Sequence, residues 1–300
     1  MEAFKIKNGI SATRYLGSNG TETAGSEAYS LTAASYDSVS FNISGQAASA
    51  YNLLFNSSGT KMYIVDAGND NLYQYSLSTA FDLSTTSYDS VSFSIASQDT
   101  SPTAATFNSD GTKLYVVGIS TDTVYQYSLS TAFDLSTASY DSVSFSVASQ
   151  DTFPTGIVFN SSGTNLYIAG PSADSVFQYS LSTAFDLSST SYNSVSLDVS
   201  GQDSVIHGLA FNSDGTKLYV LGSSSDTVYQ YSLSTAFDLS TASYNSVSFS
   251  VQAQDNSPAG IAFNSDGTKM YYLGFTGDSV YQYSTVGYTQ ALDLSTGTTF

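Results

Sequence analysis

The chain has 300 residues, no cysteine and a net charge of −18, with seven Lys and Arg set against 25 Asp and Glu. That balance excludes a disulfide framework and a Cys-based metal site. It also argues against nucleic acid and anionic membranes as partners, since both need clustered cations. Tyr, Phe, Val, Ser and Thr are abundant, which points to β structure, and a propeller or barrel of this length forms one domain.

The N-terminal stretch MEAFKIKNGISATRYLGSNG lacks the apolar core of a secretory signal, and no 18-residue apolar run follows, so no membrane insertion is expected. The first landmark is Tyr36, which recurs as Tyr88, Tyr140, Tyr192 and Tyr244 at a spacing of 52. A second series, Phe55, Phe107, Phe159, Phe211 and Phe263, keeps the same spacing, each Phe followed by Asn and a Ser-rich turn containing Gly. A repeat of this length with four strand-like segments is the signature of a propeller blade.

Within one copy, strand A (156–159 in the third) runs into an NSSG or NSDG turn whose Gly supplies a positive φ. Strand B (113–118, KLYVVG) is apolar on both faces, as a strand between neighbouring sheets should be. Strand C is 124–129 (VYQYSL). Strand D is 142–147 (SVSFSV), whose period-two Ser alternation marks an outer strand with one wet face.

The phase of the repeat predicts how the ring closes. The segment 38–44 is a D strand with no A, B or C before it, and the copy at 260–284 has A, B and C but no D. The two fragments sum to one blade, giving an all-β, five-bladed β-propeller over 36–284, closed by the N-terminal strand on the last blade. Residues 1–35 read as an attachment segment and 285–300 as a C-terminal tail.

The copies differ in two loop classes that share one face. The B–C loops read DAGND, GISTD, GPSAD, GSSSD and GFTGD; the D–A connections read GQAASAY, SQDTSPT, SQDTFPT, GQDSVIH and AQDNSPA. The C–D connection SLSTAFDLSTASY hardly changes. Divergence confined to one face suggests a tuned ligand surface at the channel mouth. Its candidates are Asp66, Asn69, Asp70, Ile119, Asp122, Phe153, Asp174, Val205, His207, Asp226, Phe275 and Asp278, with Tyr51 beside them. The repeated acids are also what Asx turns use to hold backbone N–H groups.

No cofactor or metal is expected: no loop gathers the six to eight oxygens of a calcium site, and Ca2+ stays an unsupported option. His207, the only histidine, reads as an isolated residue, because no G-x-S-x-G motif supplies a nucleophile. Near-identical blades also supply poorly the pair of unlike carboxylates that a glycosidase needs. No catalytic residue and no enzyme activity are therefore expected.

At FNSDGTKLYVVG followed by DTVYQYSLSTAFDLS the chain resembles YVTN-like propeller repeats. The longer form, through YQYSLSTAFDLSTASY, is similar to repeats in tail-fibre and other virion proteins of tailed phages, marine and cyanobacterial ones especially. The resemblance implies a non-enzymatic virion protein, made in the host cytoplasm and acting outside the cell. Its expected partners are a host-surface glycan or receptor, and other virion proteins through the termini. The alternatives are a structural spacer or decoration protein and a glycan-cleaving enzyme.

Overall fold

The computed structural model describes residues 14–16, 22–24 and 28–286. A short hairpin, Arg14–Leu16 with Glu22–Ala24, precedes the propeller. The expected tail from residue 287, and most of the segment before residue 28, lie outside the described residues.

Five four-stranded antiparallel sheets follow, each in the order A-B-C-D from the channel outward. Blade 1 is Ala50–Phe55, Lys61–Asp66, Asn71–Leu77 and Thr86–Ser94. The A strands of blades 2 to 5 are Pro102–Phe107, Gly156–Phe159, Ile206–Phe211 and Pro258–Phe263, each packed on the A strands beside it around the ring. The fifth sheet closes as the phase of the repeat requires. Ser35–Asn42 pairs antiparallel with strand C of blade 5, Ser279–Ser284, with Tyr36 opposite Tyr283 and Phe41 opposite Val280.

Strand D is longer than the alternation alone suggests. It begins at Ala138 in blade 2, where a register shift opposite Gln126 and Tyr127 and a positive φ of 59° at Ser142 mark a bulge. The bulge breaks the period-two pattern, so the first half of the strand is masked in the sequence.

Each blade is clamped to the next through the C–D connection. The strand-B tyrosine hydroxyl of one blade donates to the carbonyl of a phenylalanine in the next: Tyr63 to Phe133 at 2.5 Å, Tyr115 to Phe185, Tyr167 to Phe237, and Tyr271 to Phe81 at 2.5 Å. The following leucine N–H donates to a strand-C glutamine, as Leu135 does to Gln74 at 2.9 Å, and Leu135 itself is fully buried. The same phenylalanine lies on the A–B turn of its own blade. A Cβ on Gly111, which has φ 74°, would fall 2.3 Å from the Phe133 ring.

At the seam, Tyr29 takes the phenylalanine position and its carbonyl accepts from Tyr219 at 2.5 Å. The clamp therefore starts seven residues before Tyr36. The sequence holds the signal: AYSLTAASY at 28–36 matches AFDLSTTSY at 80–88.

The C–D connection is thus tied into the joint by Phe133 and the buried Leu135, whose constancy between copies follows from these contacts, while Ser130, Thr131, Ala132 and Ser136 are exposed. Replacing Tyr115 by Phe should cost about 1–3 kcal/mol, because it leaves the Phe185 carbonyl buried without its donor. Tyr219→Phe, which removes the donor to Tyr29 at the seam, should cost the same within error if the closure equals the internal joints. Urea unfolding midpoints of the two variants check both statements.

Candidate functional site

At the loop face the chain returns from strand D into the next strand A beside the B–C loop, and a buried carboxylate ties the two together. Asp99 accepts from Ser101 N at 2.7 Å and from Thr121 N and Oγ1 at 3.1 and 2.6 Å. Asp151, Asp203 and Asp255 do the same in the next three junctions, holding the N–H groups of Phe153, Val205 and Ser257 at 2.7–2.8 Å. The B strand makes room: a Cβ on Gly118 would lie 2.3 Å from the Asp99 carboxyl carbon.

Blade 1 solves the same problem from the other strand. Ala47 stands where the carboxylate should be, and Asp66, fully buried, stands in the glycine position. Its carboxylate accepts from Ser49 N at 3.0 Å, Gly68 N at 3.2 Å and Asn69 Nδ2 at 2.7 Å. Asp66 and Asn69 are therefore spent on holding the loop.

Asp70, Asp122, Asp174, Asp226 and Asp278 all adopt φ between 44° and 54°. Their carbonyls accept from the N–H at the end of strand D: Ile95, Val147, Val199, Val251 and Ile43. Oδ1 of Asp122, Asp174 and Asp226 is buried without a partner. Burial first, then the neighbouring carboxylates Asp151 and Asp99, pushes the Asp122 carboxyl above its ordinary value; burial, Asp255 and Asp66 do the same for Asp278. Among the described residues no three histidine or acidic side chains are gathered as metal ligands.

The structure does bring three rings together. His207 and Tyr51 stack with centroids 6.0 Å apart and planes 16° apart, and Phe275 meets Tyr51 edge-on at 5.4 Å. His207 Nδ1 is buried with no hydrogen-bond partner. The side chain as a whole is half-buried. Burial, only partly opposed by Asp203, lowers the imidazole pKa below its usual 6.5, so the ring is neutral at pH 7. Ile119, Phe153 and Val205 are half-buried rim residues, not shown in contact with this group.

Sequence reasoning missed two features. Thr103 and Thr155, at the His207 register, donate to the carbonyls of Pro154 and Ile206 in the next blade at 2.6 and 2.7 Å. A cavity of about 370 Å3 opens at the other end of the ring, floored by Leu53, Ala105, Ile157, Leu209 and Ile261. The spacing of 52 in both sets was the available signal. No His, Lys, Arg, Asp or Glu lines that cavity, whereas a second cavity of about 700 Å3 on the turn side is lined by Asp37, Asp82, Asp266 and Lys269.

A family model described as "Lactonase, 7-bladed beta-propeller" matches residues 43–199, just over half of the chain. No curated protein matches. Among solved structures, a Lactobacillus plantarum protein superposes with a TM-score of 0.50 at 13% identity, covering 78% of this chain and 67% of its own. A Desulfotomaculum acetoxidans protein of unknown function gives 0.47 at 12%, covering 75% and 62%. A Bacteroides uniformis protein with a provisional 6-phosphogluconolactonase designation gives 0.48 at 16%, covering 74% and 63%. The chain spans about three fifths to two thirds of the length of these proteins, and at such identity the likeness is one of fold.

The family match overturns two expectations. A non-enzymatic virion binding module, and the absence of enzyme activity, rested on loop divergence and on a resemblance of repeats. The matched family is instead one of lactonases. The physical reason for the error is the clamp: Phe133, Leu135 and their equivalents are held constant by contacts between blades, so divergence on the opposite face is no evidence for receptor binding.

The aspartate exchange is testable by itself. Gly118→Asp should destabilise by about 1–3 kcal/mol through overpacking against Asp99. Asp99→Ala should do so by orphaning buried N–H groups. The double variant recreates the Ala47/Asp66 arrangement and should recover most of the loss in a thermal-unfolding double-mutant cycle.

Proposed function

The chain belongs to the lactonase, 7-bladed β-propeller family, and from that premise we propose that it hydrolyses a cyclic ester at the channel mouth, with His207 as general base. The observation that carries the reading is the setting of the chain's single histidine, stacked on Tyr51, whose ring also meets Phe275, with Nδ1 unpartnered and burial holding its pKa below the usual value.

The chemistry needs little more. Nε2 of His207 takes a proton from a water, and the hydroxide formed attacks the lactone carbonyl carbon. The tetrahedral oxyanion collapses, the ring C–O bond breaks, and the proton held by the imidazolium passes to the alkoxide that leaves. The product is an open hydroxy acid. The Tyr51 hydroxyl, on the ring stacked against His207, is the donor we assign to the oxyanion. No carboxylate partners Nδ1, so this is a base of modest strength, suited to a strained ester and not to an amide.

Acid release from a panel of lactones, followed in a pH-stat, tests the proposal. His207→Gln should lower kcat/KM by about 10²-fold or more while the unfolding temperature stays close to that of the parent chain. An unchanged rate would sink the assignment. The acid limb of kcat/KM should fall below pH 6.5, because a depressed pKa keeps the base neutral further into acid.

A further inference from the structure

Resting on the lactonase reading, we infer that the mouth takes an uncharged lactone bearing a hydrocarbon substituent and turns phosphorylated lactones away. The blades carry four lysines, Lys61, Lys113, Lys217 and Lys269, and each opens a strand B at the A–B turn. A six-residue strand separates them from the mouth by about 17 Å, roughly twice the screening length at physiological salt. Three of them are also spent on Asp89, Asp141 and Asp37, at 2.6, 3.1 and 2.5 Å.

The mouth itself is ringed by the loop-holding carboxylates, and the N–H groups that could cradle a phosphate already donate to them. Bringing a phosphate dianion there would add charge to a chain already at −18, with none of these lysines in reach.

What the rim offers instead is apolar surface. In a register whose other copies carry Ser49, Ser101 and Ser257, this chain places Phe153 and Val205. In the register of Ala67, Pro171 and Ser223 it places Ile119 and Phe275. All four substitutions are half-buried at the mouth of an otherwise Ser-rich surface. A lactone whose carbonyl reaches His207 would lay a hydrocarbon substituent on that rim. Hydrolysis then converts a neutral substrate into a carboxylate, which the acidic mouth repels, so product leaves where substrate entered.

The test compares kcat/KM for δ-valerolactone, its pentyl-substituted homologue, glucono-δ-lactone and 6-phosphoglucono-δ-lactone, at low and at physiological salt. The pentyl chain should raise kcat/KM at least tenfold, a fully buried methylene being worth about fourfold. Phosphorylation should lower it at least tenfold at low salt, and less as salt rises. Ser223→Arg, which sets a cation on the rim, should narrow the phosphate penalty while leaving the alkyl preference intact.

Preference for the phosphorylated lactone, or indifference to both groups, overturns the inference and leaves the lactonase reading standing. Calorimetry with the corresponding lactams separates the reverse case. If no lactone is opened but the pentyl lactam binds and the phosphorylated lactam does not, the catalytic reading fails while the ligand class holds.

Discussion

Every joint in this ring depends on one buried phenol. The strand-B tyrosines are shut away from water, and that burial raises their pKa so far that they remain O–H donors at any working pH. The carbonyl each one finds belongs to a residue with φ near 60°: Tyr29, Phe81, Phe133, Phe185 and Phe237. For bulky side chains that backbone state costs about 1–3 kcal/mol. It persists because it turns the ring onto the A–B glycine of its own blade while aiming the carbonyl at the tyrosine of the blade before. Local strain is offset by one contact within the blade and one that only the neighbouring blade supplies.

This constraint divides the molecule into two faces with different freedoms. On the turn face, Phe, Gly, Tyr and Gln of adjacent copies must match, so the segments from Ser78 to Tyr88 and from Ser130 to Tyr140 nearly coincide. On the loop face each junction uses a B–C aspartate at positive φ, whose carbonyl receives the end of strand D, and a carboxylate between the D–A connection and the B–C loop. The second demand leaves most of both loops free. The Ala47/Asp66 exchange shows how loose it is: the carboxylate can arrive from either strand provided the opposite position is small. Acidity at the mouth is therefore a by-product of loop construction, yet it still decides which ligands can approach.

The fold was legible because repetition multiplies weak signals. One strand of alternating Ser and Val proves little, but five copies at an exact spacing, with an orphan strand at one end and a gap at the other, fix both the blade count and the closure. The site was legible only in part. Phe275 and His207 stood out as non-repeated residues, and with Tyr51 they do meet. Asp66 and Asn69 stood out for the same reason, yet they repair a missing Asp in blade 1. Departure from a repeat marks function and compensation alike, and contacts alone separate the two. The start of the propeller at Tyr29 was hidden because Tyr replaces Phe and Ser replaces Asp in AYSLTAASY, although the carbonyl that matters belongs to the backbone.

How one site arises in a five-fold ring is visible at a single register. Position 51 and its equivalents read Tyr51, Thr103, Thr155, His207 and Ala259. Where Thr stands, its hydroxyl bonds to the next blade and closes the inner rim. Blades 4, 5 and 1 are consecutive around the channel, so His207 and Tyr51 flank the small side chain of Ala259. Giving up the inter-blade hydroxyl at three consecutive blades weakens the rim locally and leaves Nδ1 of His207 without a partner. Buried polar atoms left in that state are costly. Other orphaned atoms, Oδ1 of Asp122, Asp174 and Asp226, recur at one register of the B–C loops, whereas the unpartnered nitrogen of His207 occurs once, beside the stacked Tyr51 ring.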